Sequence, residues 1–89
     1  MRAIVTVIGK DQVGIIASVS TLLASEGVNI LDISQTVLQG YFTMFMLVDL
    51  TACRLSFREL ADALDKKGQE RGLSIRIQRT EIFDAMHRI

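Results

Sequence analysis

The sequence predicts a single α+β domain in which an antiparallel four-stranded sheet carries two helices on one face, in the order β-α-β-β-α-β. Two segments with apolar residues at helical spacing, around residues 15–23 and 57–64, are interspersed with four Val-, Ile- and Leu-rich runs. A short Gly-containing turn joins the middle two runs into a hairpin, while each helix separates two other runs. Eighty-nine residues with no proline, no linker and no low-complexity stretch leave room for one unit.

The first run, Arg2 to Ile8, is almost continuously apolar and stops at Gly9, as expected of a central strand covered on both faces. From Gln12 to Glu26 the residues Ile15, Ile16, Val19, Leu22 and Leu23 share one helical face, and Gly27 stands where a C-terminal cap belongs. Val28 to Leu38 and Tyr41 to Thr51 are strands flanking Gln39-Gly40. In the second of them Phe42, Met44, Met46, Val48 and Leu50 form the core face. The opposite set, Tyr41, Thr43, Phe45, Leu47 and Asp49, is only half polar, so that face is expected to meet a second copy of the chain. A two-residue turn pairs Gln35 with Met44 on the core side, which calls for a bulge or a different loop length.

The second helix has a sharp start. Ser56 with Glu59 reads as a capping box, and Leu55 with Leu60 occupies the staple positions. Phe57, Leu60, Ala61 and Leu64 form its buried stripe, Lys66 and Lys67 suit the negative end of its dipole, and Gly68 or Gly72 ends it. Leu73, Ile75 and Ile77 then alternate with Ser74, Arg76 and Gln78 as a half-buried last strand. Residues 1–80 are read as the domain. Residues 81–89, with Ile82, Phe83, Met86 and Ile89 at helical spacing, are read as a helical tail that covers a sheet edge or docks on a partner. This is the ferredoxin-like arrangement.

Composition narrows the function. A chain this short buries only about 60–65% of the surface exposed on unfolding, yet its composition is 49% hydrophobic with a mean hydropathy of +0.35. A homodimer follows as the expected state. Ten basic and ten acidic residues balance, which disfavours nucleic acid as a partner. The single cysteine, Cys53, makes neither an internal disulfide nor a metal-ligand spacing, so no metal or cofactor is expected and a reducing cytoplasm fits. The N-terminus lacks a signal-peptide pattern and no run is long enough for a membrane span.

The chemistry-bearing stretch is the first turn with the strand start that follows its helix. Free N–H groups around Val13, Gly14 and Ile15, at the positive end of the first helix, attract a carboxylate or other small anion. Gly14 permits close approach, and the Asn29 amide both donates and accepts. If the first two strands are adjacent, Asn29 and the turn line one cleft. The plainer alternative makes Asp11 a helix cap, Gly14 a packing glycine and Asn29 a turn residue.

Gly9-Lys10-Asp11-Gln12-Val13-Gly14-Ile15-Ile16-Ala17, followed after one helix by Gly27-Val28-Asn29-Ile30, resembles the signature of the ACT domain family. Asp32-Ile33-Ser34-Gln35 and Phe42-x-Met44 further resemble a subgroup of short, stand-alone members related to the glycine cleavage system repressor. The resemblance covers about residues 2–80. It implies a dimeric regulatory module that binds an amino acid near the first loop and the start of the second strand, often between two subunits. By position the ligand-site candidates are Asp11, Gln12, Val13, Gly14, Ile15 and Asn29. One departure stands out: many members carry proline where this chain has Val13, which leaves the loop less rigid.

Two other functions share the topology. Acylphosphatases use an arginine in the first loop with an asparagine on a later strand, but the loop from Gly9 to Ala17 has only Lys10. RNA recognition motifs need aromatics on the first and third strands, and here Arg2 to Ile8 has none while Thr43 takes an expected aromatic position. His87, Cys53, Ser18, Ser20 and Ser25 have no catalytic partner in sequence, so no catalytic residue is assigned. The expectation is a non-catalytic homodimer that binds a small amino acid or related carboxylate and acts on a regulated protein partner. Tyr41, Phe45, Leu47, Ile82, Phe83 and Met86 are its interface candidates. An ACT scaffold that binds proteins and no metabolite is the alternative.

Overall fold

A computed structural model describes residues 1–81. Its elements are β1 (Arg2–Lys10), α1 (Ile15–Ser25), β2 (Asn29–Leu38), β3 (Tyr41–Asp49), α2 (Phe57–Arg71) and β4 (Ser74–Arg79). The strands lie in the order β2-β3-β1-β4, with every neighbouring pair antiparallel. This is the expected ferredoxin-like fold. The predicted tail, with its interface candidates Ile82, Phe83 and Met86, lies outside the described residues, as does His87.

Alternation of side chains along the strands places the core. Ala3, Val5 and Val7 of β1, Phe42, Met44, Met46 and Val48 of β3, and Ile75 and Ile77 of β4 point to one face of the sheet. Against them pack Ile15, Val19 and Leu23 of α1 and Leu60 and Leu64 of α2, all buried. Both helices cover the same face, and no described element covers the other. The expectation that β1 is covered on both faces therefore fails within one chain: Ile4 and Thr6 are half-buried and Ile8 is 47% exposed. Its continuous apolar run reflects an open sheet face that is itself apolar.

Local chemistry explains the boundaries. Helix α1 begins at Ile15, three residues later than the periodicity suggests, because Gly14 has φ +86° and cannot continue a right-handed helix. Asp11 is not its cap. Its backbone N–H instead donates to the Gly40 carbonyl at 2.8 Å, just beyond the β1–β3 ladder. In β2 the register shifts between Ile30 and Asp32, and the resulting bulge leaves Gln35 opposite Met44 on the helix-side face. The hairpin then turns through Gln39 and Gly40, both with positive φ, the conformation that matches strand twist in a two-residue loop.

Helix α2 starts as its sequence dictates. The Glu59 N–H donates to the Ser56 hydroxyl at 3.1 Å while the Ser56 N–H donates to the Glu59 carboxylate at 2.9 Å. The Ser56 N–H most of all, and the Ser56 hydroxyl after it, hold the Glu59 carboxyl below its ordinary pKa. Gly72, in the left-handed region, ends the helix. Gly68 lies inside it, where any side chain would run into the Leu73 backbone.

Candidate functional site

The loop between β1 and α1 is held from behind by the last residue of α2. The Arg71 guanidinium donates through Nη1 to Gln12 Oε1 at 3.1 Å and to the Val13 carbonyl at 3.2 Å. Gln12 Nε2 returns a bond to the Arg71 carbonyl at 3.0 Å. The loop is thus fixed at both Gln12 and Val13, although Val13 is not the proline that would stiffen it covalently. Its side chain is 97% exposed.

Gly14 follows as the residue before α1. No side chain caps this helix and no acidic residue occupies its first turn. The first N–H groups, from Ile15 onward, therefore keep their free donors and the positive end of the helix dipole. Asp11, the residue expected to quench them in the plainer alternative, makes no capping hydrogen bond to them.

Between that uncapped turn and the helix-side face of β2 runs an open groove of about 290 Å³, lined among others by Asp11, Gln12, Gly14, Ile16, Gln35 and Val37. Ile15, another ligand candidate, lies along it with its side chain buried in the core. The sequence did not single out Gln35 as a site residue. Its signal was present as a polar residue on the core side of a strand, which the bulge places opposite the helix terminus rather than in the core. Chemically the groove offers donors for a carboxylate at the helix end, the Asp11 carboxylate for a cationic group, a neutral amide at Gln35, and apolar contact at Ile16 and Val37.

Asn29 is somewhere else. It lies level with Asp49 and Arg2, whereas Leu38, Tyr41 and Lys10 form the row at the loop end of the sheet. The length of β1 separates the two rows, roughly 26 Å at about 3.3 Å per residue. The cleft expected to join Asn29 with the loop is therefore absent within one chain. The cause is topological: α1 carries the chain back along the sheet, so β2 begins at the end where β1 began. Of the ligand candidates, Asp11, Gln12, Gly14 and Ile15 line the groove, while exposed Val13 and distant Asn29 do not.

Among the other candidates, Ser20 and Ser25 spend their hydroxyls on helix carbonyls, at 2.6 Å to Ile16 and 2.7 Å to Leu22. Cys53 is half-buried. No group of three or more His, Cys, Asp or Glu side chains that could hold a metal ion occurs among the described residues. No described helix is long and apolar enough to cross a membrane. On the open face of the sheet Tyr41 and Phe45 are 56% and 50% exposed, and Leu47 is half-buried beside a hollow that also touches Ile4, Asp32 and Ser34.

Residues 2–78 match the model of the ACT domain. A UPF0237 protein of Clostridium acetobutylicum is 56% identical over the whole length of both chains. Among solved structures, an ACT domain protein from Streptococcus pneumoniae is 46% identical and superposes with a TM-score of 0.83 over 98% of each chain. A protein assigned as a glycine cleavage system transcriptional repressor is 26% identical with a TM-score of 0.76, over 89% of this chain and 45% of the other.

Proposed function

The chain belongs to the ACT domain family, and from that premise we propose that it is a non-catalytic cytoplasmic sensor of a small amino acid, working as a homodimer. The uncapped N-terminus of α1 facing Gln35 across the groove is the observation that carries this. It supplies fixed donors where a carboxylate would sit and an acidic side chain, Asp11, where an ammonium group would sit. A zwitterion satisfies both. The glycine-linked function of the structural neighbour fits a ligand of that size.

The distance between the loop and Asn29 sets the assembly. Asn29 contributes to the same ligand only when a two-fold axis runs the strands of two copies in opposite directions, so that the start of one β2 lies beside the loop of the other. The edge position of β2 favours such a partner, with Leu38 at its loop end 70% exposed. Ligand occupancy then ties two chains together and shifts the equilibrium of the dimer, or of its complex with a regulated protein, by its differential affinity.

A thermal-shift screen of the twenty amino acids and common small carboxylates tests this. One ligand is expected to stabilise the protein by about 2.7 kcal/mol at a hundredfold excess over Kd, and Gln35→Ala and Asn29→Ala are expected to abolish the shift. A folded dimer that no compound stabilises would instead be an interaction scaffold.

A further inference from the structure

On the far side of α1 a second groove separates the two helices. It is about 490 Å³ in volume and follows α1 from Gly14 past Ser18 and Thr21 to Ser25. Eleven helical rises make that trough roughly 16 Å long. Its lining includes Lys67 and Arg71, one helical turn apart on α2, and no acidic residue. In a chain whose charges cancel overall, this is a local concentration of positive potential, strengthened by the uncapped end of α1 beside it. Lys67 has only a 3.5 Å contact with the exposed Glu70 to offset it. Arg71 uses Nη1 for the loop, and its Nη2 makes no hydrogen bond to another described residue.

We infer that this groove between the helices docks an extended acidic segment of a partner protein, carrying two carboxylates two residues apart and a small or apolar residue after them. Length and spacing decide for a peptide chain. Two cations at i and i+4 on a helix stand about 5–6 Å apart, close to the roughly 6.6 Å between alternate residues of an extended strand. Beyond them the trough continues past Thr21 to Leu22 and Ser25, neutral and shallow enough for small side chains. The groove adjoins the amino-acid groove, sharing Gly14 and Ala17 with it, and does not require that groove to be occupied. Arg71, which lines this groove, also braces the loop through Gln12 and Val13, so a carboxylate that draws its guanidinium outward also loosens that loop.

The probe is a fluorescein-labelled peptide of about seven residues with two glutamates at alternate positions followed by leucine, titrated into the full chain and followed by anisotropy and by backbone amide shifts. Binding is expected to shift the amides of Ser18, Thr21 and Lys67. Lys67→Glu is expected to weaken binding tenfold or more, and the peptide with lysines in place of glutamates is expected to recover affinity for that variant. Circular dichroism verifies that the variant is folded. Acidic peptide that moves no groove amide, or that binds wild type and Lys67→Glu equally, would overturn the inference. So would inorganic phosphate that gives the same shifts and displaces the peptide at lower concentration, since the occupant would then be a small anion.

Discussion

Gly14 is where sequence chemistry and site geometry meet most tightly. Its φ of +86° belongs to a region that residues with a Cβ enter at a cost of about 1–3 kcal/mol, and a Cβ there would also approach the Arg71 guanidinium at 3.4 Å. Gly14→Ala is therefore expected to lower unfolding stability by about that amount in urea titration, and to weaken ligand binding by more than its stability loss explains, because the free donors of Ile15 and its neighbours shift. An unchanged midpoint would show that the loop adopts another conformation. Gln35 predicts the opposite pattern. It is exposed, so Gln35→Ala is expected to change stability by no more than about 0.5 kcal/mol while removing ligand stabilisation. The residue types at the loop were legible in the sequence because a Gly at a helix start and a following apolar period are local signals. Gln35 was not, since its importance depends on a bulge between Ile30 and Asp32 that turns it toward a helix terminus distant in sequence.

At the scale of elements, α2 is the best specified. Its capping box formed as read, and Ser56→Ala is expected to cost about 1 kcal/mol. The depressed Glu59 carboxyl adds a pH dependence whose sign is fixed. A carboxyl with a lowered folded-state pKa contributes stability that is complete above its unfolded value of about 4.3 and is lost as pH falls through the folded value. Glu59→Gln keeps a capping-box acceptor without the charge. Thermal melts between pH 5 and acid are expected to fall less steeply in that variant than in wild type, and parallel curves would contradict the role given to the box. The other elements were read with less success at their ends. Periodicity extends α1 back to Gln12 because Ile15 and Ile16 set the phase, but periodicity carries no record of the left-handed Gly14. Long-range placement was less legible still: nothing local in Val28-Asn29-Ile30 says that the preceding crossover puts Asn29 at the opposite end of the sheet.

Among the described residues one sheet face is covered by helices and the other is open with an apolar centre, and the open face is the larger consequence for function. A sheet with Ile8, Tyr41 and Phe45 about half exposed is expected to be covered in solution by its symmetry mate. Phe45→Lys is predicted to break the contact over this face and leave the dimer joined at the β2 edge, read as a halving of the mass measured by light scattering, and an unchanged mass would show that this face is no interface. We propose that two chains build each amino-acid site, the loop and groove from one and Asn29 from the other. This is tested most directly by mixing Asp11→Ala chains with Asn29→Ala chains, each unable to bind alone, and titrating the ligand by calorimetry. Exchange of subunits is expected to restore binding at about a quarter of the wild-type stoichiometry, the statistical share of intact composite sites. A mixture as inactive as its components would mean that each chain carries its own site, and the account of Asn29 would be wrong.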